Sequence, residues 1–190
     1  MMILLTLLIG CPKAAPAATP DPAVAAAATT TTGAAILNTH VTPEGLTQVE
    51  VDLDGDAKAN VTNFYRERAD APKLLMRKDV DLNRDGRIDV RTTYDDAGLR
   101  TQEEMDGDFD GRADWVDHYI AGKRAYSEVD TDFNGTFDLF KYFENGVCRR
   151  KERDTNGDGR VDFWEYLDDK GNVTKTGRDI DNDGQMEDRQ

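Results

Sequence analysis

Beyond residue 34 the apolar residues recur at every second position in short runs, the period of a strand with one face turned inward. Counted from the aspartates Asp52, Asp81, Asp106, Asp130, Asp154 and Asp179, position eight is apolar throughout (Ala59, Ile88, Ala113, Phe137, Val161, Met186). Position ten holds Val61, Val90, Trp115, Leu139 and Phe163, and position fourteen holds Tyr65, Tyr94, Tyr119, Phe143 and Leu167. A strand gathers such an even-numbered set on one side, whereas a helix would scatter it. Turn signals follow at Asp95 to Gly98, Ala121-Gly122, Asn145-Gly146 and Asp168 to Gly171, and Asn-Gly between alternating segments is a strong hairpin signal. Each repeat therefore predicts a strand, a tight turn and a returning strand such as RAYSEV at 124–129. The expected fold is all-β, a linear repeat array of hairpins over 34–190. The segment AILNTHVTPEGLTQVEV at 35–51 has the same layout without a preceding acidic loop, so 34–51 is expected to cap the array.

The connections between hairpins are acidic and periodic. Their first aspartates lie 29, 25, 24, 24 and 25 residues apart, which marks an internal repeat. Position three is Asp54, Asn83, Asp108, Asp132, Asn156 and Asp181, and position five is Asp56, Asp85, Asp110, Asn134, Asp158 and Asp183. Position nine is Asn60, Asp89, Asp114, Asp138, Asp162 and Glu187, so every one of these columns offers a side-chain oxygen. Position six is glycine in five loops, where a tight turn wants positive φ, but Ala57 in the first, which is expected to be the weakest site.

An oxygen-only donor set in short irregular loops suits Ca²⁺, which accepts six to eight ligands, better than the strict octahedron of Mg²⁺. Side chains at positions one, three, five and nine, with a carbonyl near seven, would wrap one ion per loop. At position twelve only Asp117 and Glu165 are carboxylates, beside Asn63, Thr92, Lys141 and Gln190, so loops three and five are expected to bind most tightly. Loop six reaches that position only at Gln190 and is expected to be frayed. A further acidic column, Glu50, Asp79, Glu104, Glu128 and Glu152, would either complete the sites or pair with Lys58, Arg87, Arg112 and Arg160 at position seven.

Residues 154–165, DTNGDGRVDFWE, fit the EF-hand loop pattern D-x-[DN]-x-[DN]-G-x5-E. Only about a dozen residues separate consecutive loops, and a turn bisects them, which leaves no room for flanking EF-hand helices. The loops resemble thrombospondin type 3 repeats, and the resemblance implies bound calcium in place of a conventional core. FKYFENGV at 140–147 and WEYLDDKGNV at 164–173 look like the hairpins of MORN-variant repeats. The chain as a whole is similar to acidic repeat lipoproteins of myxobacteria and relatives, some of them tied to gliding motility.

The remaining features bound the function. MMILLTLLIGC resembles a bacterial lipoprotein signal, with a leader over 1–10, lipidation at Cys11 and a tether of Ala, Thr and Pro over 11–33. No basic residue precedes the apolar run, and the absence of aspartate after Cys11 favours the outer membrane. With Cys11 lipidated, Cys148 has no partner for an intramolecular disulfide. Lys plus Arg number 24 against 38 Asp plus Glu, and the formal net charge of −14 argues against a nucleic-acid partner. Six Ca²⁺ ions would add about +12 and remove most of the self-repulsion. His40 and His118 stand without a metal-ligand partner, and no nucleophile, phosphate-loop or zincin motif is present.

These features lead to the expectation of a non-enzymatic, calcium-binding envelope lipoprotein, a structural or adhesive scaffold for a protein or polysaccharide partner. The alternatives are a soluble or periplasmic ligand-binding or inhibitor protein using exposed aromatics, and an accessory of a surface, including motility, machinery. Trp115 and Trp164 are expected on opposite faces.

Overall fold

The computed structural model describes residues 34–189. The expected leader over 1–10, Cys11, the tether over 11–33 and Gln190 lie outside the described residues. Thirteen strands form one antiparallel sheet whose spatial order is the chain order. They are β1 (Ala35–Val41) and β2 (Thr47–Asp52), β3 (Val61–Arg66) and β4 (Leu74–Val80), β5 (Val90–Tyr94) and β6 (Arg100–Met105), β7 (Trp115–Ile120) and β8 (Lys123–Val129), β9 (Leu139–Glu144) and β10 (Val147–Arg153), β11 (Phe163–Leu167) and β12 (Val173–Arg178), and the two-residue β13 (Asp188–Arg189). There is no helix among the described residues, so the all-β hairpin array is the fold and no loop has EF-hand flanks.

A meander places alternate connections at opposite ends of its strands. The tight turns therefore all lie at one end, and the six acidic loops all lie at the other, roughly 9.5 Å apart at twice the usual strand spacing. At the turn end, Ala121 (φ 50°) and Gly122 (φ 72°), like Asn145 (φ 52°) and Gly146 (φ 82°), have both central residues left-handed. That is the type I′ geometry whose twist matches the flanking strands.

Nearest the loops, direct cross-strand pairing builds one apolar row from Val51 through Val61, Val80, Val90, Met105, Trp115 and Val129 to Leu139. Val61, Val129 and Leu139 are buried within it. Trp164 pairs with Glu152 and Gly177, one residue out of phase with the Trp115 row, so the two tryptophans are on opposite faces.

Alternation alone did not foresee a bulge in each hairpin from β3 to β12, which leaves Met76, Thr101, Ala125, Arg149 and Thr174 without a direct partner. Such bulges raise the local right-handed twist of the strands that carry them. The sheet is a single layer, and cations rather than a second apolar layer cover its rings. Arg77 lies 3.6 Å from the Phe64 centroid, Arg150 4.0 Å from Tyr142, Lys141 4.1 Å from Trp115 and Lys175 4.9 Å from Tyr166. Contacts of this kind contribute about 0.5–1 kcal/mol each where exposed.

Candidate metal centre

All six loops fold the same way, because the same side chains cap the same amides. The position-one carboxylate accepts the position-six N–H at 2.7 to 2.9 Å in every loop, from Ala57 to Asp52 through Gly184 to Asp179. The position-five oxygen accepts the position-seven N–H at 2.8 to 2.9 Å, again in every loop. Position nine closes the loop by accepting the position-two N–H, as Asp89 does from Leu82 and Asp114 from Gly107, both at 2.6 Å. Adjacent loops are then joined through the backbone: the Asp106 N–H donates to the Asp89 carbonyl at 2.7 Å, and the Asp81, Asp130, Asp154 and Asp179 amides do the same to the preceding position nine.

Loop one closes without its glycine. Ala57 adopts φ 65°, in the same left-handed region as Gly86 at φ 89°. A second left-handed position went unread in the sequence. Position four has positive φ in all six loops, on Gly55, Arg84, Phe109, Phe133, Gly157 and Asn182. Only the two glycines and the asparagine are residue types that signal it.

The loops divide into two kinds by what faces what. In loop one Asp52, Asp54 and Asp56 bring carboxylate oxygens within 4.8 Å of one another; so do Asp106, Asp108 and Asp114, then Asp130, Asp132 and Asp138, and finally Asp179, Asp181, Asp183 and Glu187 in loop six. Loops two and five do not gather three carboxylates in this way. There Asn83 donates Nδ2 to Asp85 at 3.2 Å and Asn156 donates to Asp158 at 3.3 Å, so an amide takes up the oxygen that would otherwise face a like charge. Asp81, Asp89, Asp154 and Asp162 keep their capping roles in those two loops. In loop three Asp110 stays outside the close group and caps Arg112, and in loop four Asn134 caps Thr136.

Electrostatics vary from carboxylate to carboxylate and not by kind of loop, since Asp52 and Asp130 of clustered loops are held low. The Asp110 amide lowers the pKa of Asp108, but burial and the neighbouring charges of Asp110, Asp114 and Asp106 outweigh it and raise it above the ordinary aspartate range. Asp158 shifts the other way, lowered first by the Asn182 side chain and then, against burial, by the Arg160 amide and Asn156. The Gly55 amide is the main cause that holds Asp52 low.

The structure places the two expected position-twelve ligands in strands, away from the loop clusters. Asp117 on β7 is 3% exposed and accepts from Trp115 Nε1 at 2.8 Å and from Ser127, with Arg124 at 2.9 Å. Glu165 on β11 faces Arg153 at 3.7 Å. The column before the loops is also held in the sheet, with partners other than position seven. Asp79 meets Arg77 and Arg91, Glu128 meets His118 at 2.9 Å, and Glu152 accepts from the Tyr142 hydroxyl at 2.8 Å.

No family model, curated protein or solved structure matches the chain.

Proposed function

We propose that the protein is a calcium-binding scaffold whose ions sit in a row along one end of a single-layer sheet. The observation that carries this reading is the gathering of three or four carboxylates within 4.8 Å in loops one, three, four and six, all at that end. Such groups repel one another unless a cation joins them, and oxygen-only donors select a hard ion such as Ca²⁺. Loops two and five satisfy themselves through Asn83 and Asn156 and depend on the ion less. Without the bidentate glutamate of an EF-hand, affinities fall in the extracellular range, on the order of 10⁻⁴ to 10⁻³ M. Calorimetric titration and melting in chelator and in millimolar Ca²⁺ test this, and identical melting curves would reject it.

The sequence Leu8-Ile9-Gly10-Cys11 supports lipid anchoring in a bacterial envelope, the outer membrane by preference. Cys11→Ala then moves the protein from membrane to soluble extract; unchanged fractionation would remove the anchor. A scaffold role is favoured over a binding platform built on the sheet's aromatics because Arg150, Lys175 and Lys141 already cover Tyr142, Tyr166 and Trp115. The partner in this reading is a protein or polysaccharide of the cell surface.

A further inference from the structure

The joints between neighbouring loops are not closed alike. From loop two, Arg87 reaches forward to donate Nη1 to the Asp110 carbonyl of loop three at 3.4 Å, lying against Gly111. From loop three, Arg112 lies over Gly135 of loop four. From loop five, Arg160 donates to the Asn182 carbonyl of loop six at 3.4 Å. The joint between loops one and two is bridged in reverse, by Arg84 to Asp54 at 2.6 Å. Between loops four and five there is neither: position seven of loop four is Thr136, too short to cross, and no ion pair spans the joint among the described residues. That joint opens as a cleft of about 580 Å³, against about 400 Å³ at the bridged joint of loops one and two and about 190 Å³ beside Arg112 at the joint of loops two and three.

We propose that this cleft receives the guanidinium of an arginine side chain from a basic partner protein, in the place that neighbouring joints fill with their own arginine. Loops three to four and four to five have the same 24-residue spacing, so the acceptors recur in register. In the filled joints the acceptor is a single backbone carbonyl, at position five under Arg87 and at position four under Arg160, which correspond to Asp158 and Gly157 in loop five, and Gly157 lines the cleft. The walls carry Asp132, Asp138 and Asp154 against a single cation, Arg153, which is drawn towards Glu165. The charge left over favours a cation, and the neighbouring joints fill the same place with a guanidinium that donates to a loop carbonyl. The inference goes beyond the calcium reading: Asp132 and Asp138 belong to the loop-four cluster, so an ion bound there lessens the charge on the walls but leaves the carbonyl acceptors in place.

The test is an amide-resolved NMR titration of the whole protein in millimolar Ca²⁺, using N-acetylarginine methylamide as the probe. The neutral citrulline analogue and the lysine analogue are run beside it. Saturable shifts confined to Thr136, Gly157, Asp158 and Gly159, with a Kd on the order of 1 mM, are expected from the arginine probe alone. Thr136→Arg fills the cleft from within and should weaken the probe at least about tenfold, or 1.4 kcal/mol, with the melting temperature kept. Arg87→Thr should open a second site that shifts Asp110 and Gly111. Shifts spread evenly over the six loops, equal response to the lysine probe, or undiminished binding by Thr136→Arg would each overturn the proposal.

Discussion

Asp117 accepts a hydrogen bond from the indole Nε1 of Trp115 at 2.8 Å, two residues back on the same strand and face. The same carboxylate takes the hydroxyl of Ser127, which is wholly buried, and faces Arg124 at 2.9 Å. It is thus a node of the sheet. Asp117→Ala strands the Ser127 hydroxyl and should destabilise the protein by about 3 kcal/mol, the scale for losing buried, charge-assisted hydrogen bonds. Calcium affinity should be unchanged; if titration shows it weakened with the fold intact, Asp117 is a ligand.

Asp108→Asn converts loop three to the self-satisfied kind seen in loop two. The asparagine can donate to Asp110 as Asn83 does to Asp85, and the repulsion from Asp110, Asp114 and Asp106, which raises the Asp108 pKa alongside burial, disappears. The melting temperature in chelator should rise, while the increment on adding Ca²⁺ should shrink. A variant that loses stability in chelator would show that the Asp108 charge is not opposed by its neighbours.

Position six can be tested from both sides. Ala57 sits at φ 65°, a conformation that costs a residue with a Cβ about 1–2 kcal/mol, and glycine gives back up to about 1 kcal/mol in unfolded-chain entropy. Ala57→Gly should therefore stabilise loop one by about 0.5–1 kcal/mol. The reverse changes, Gly135→Ala and Gly159→Ala, meet nearly equal φ of 86° and 85°, but only Gly135 lies under an arginine. Gly135→Ala should cost more by denaturant unfolding, and the excess should vanish in an Arg112→Ala background. An excess that survives there would locate the strain elsewhere.

The hairpins were legible because two strong local signals agreed: the two-residue period of Val61, Val90, Trp115 and Leu139, and turn pairs such as Asn145-Gly146. The loops were legible because a repeat multiplies a weak motif. What composition concealed was the difference between aspartate and asparagine at position three. As calcium ligands the two look interchangeable, yet without an ion Asn83 and Asn156 donate where Asp108 repels. Loop five, the fullest motif match, is for that reason not among the carboxylate clusters, whereas loop one, which lacks the glycine, is. Position twelve falls after the strand has begun: Phe163 pairs with Arg153 and Arg178, so Glu165 lies within the sheet. The bulges and the left-handed Phe109 and Phe133 carry no residue signal, since neither falls on a glycine or an asparagine.

At the turn end, acid should act through Asp168. Its carboxylate accepts the Asn172 side chain at 3.0 Å and the Asn172 and Lys170 amides at 2.9 and 2.8 Å, pinning the turn between β11 and β12. The Asn172 side chain is the leading cause of a pKa below the ordinary aspartate value, followed by the Asn172 amide, with burial opposing and the Lys170 amide and Arg149 assisting. A carboxylate whose pKa is lower folded than unfolded adds stability that is complete above its unfolded value, about 3.9. That stability drains away as pH falls through the folded value. The stability difference between wild type and Asp168→Ala, measured by denaturant titration in chelator, should hence be constant from neutrality to about pH 5 and narrow below about pH 4. Working in chelator keeps calcium release from the opposite end of the sheet out of the comparison. A difference that stays the same down to about pH 2 would mean the turn is held by shape alone, with no contribution from the ionised carboxylate.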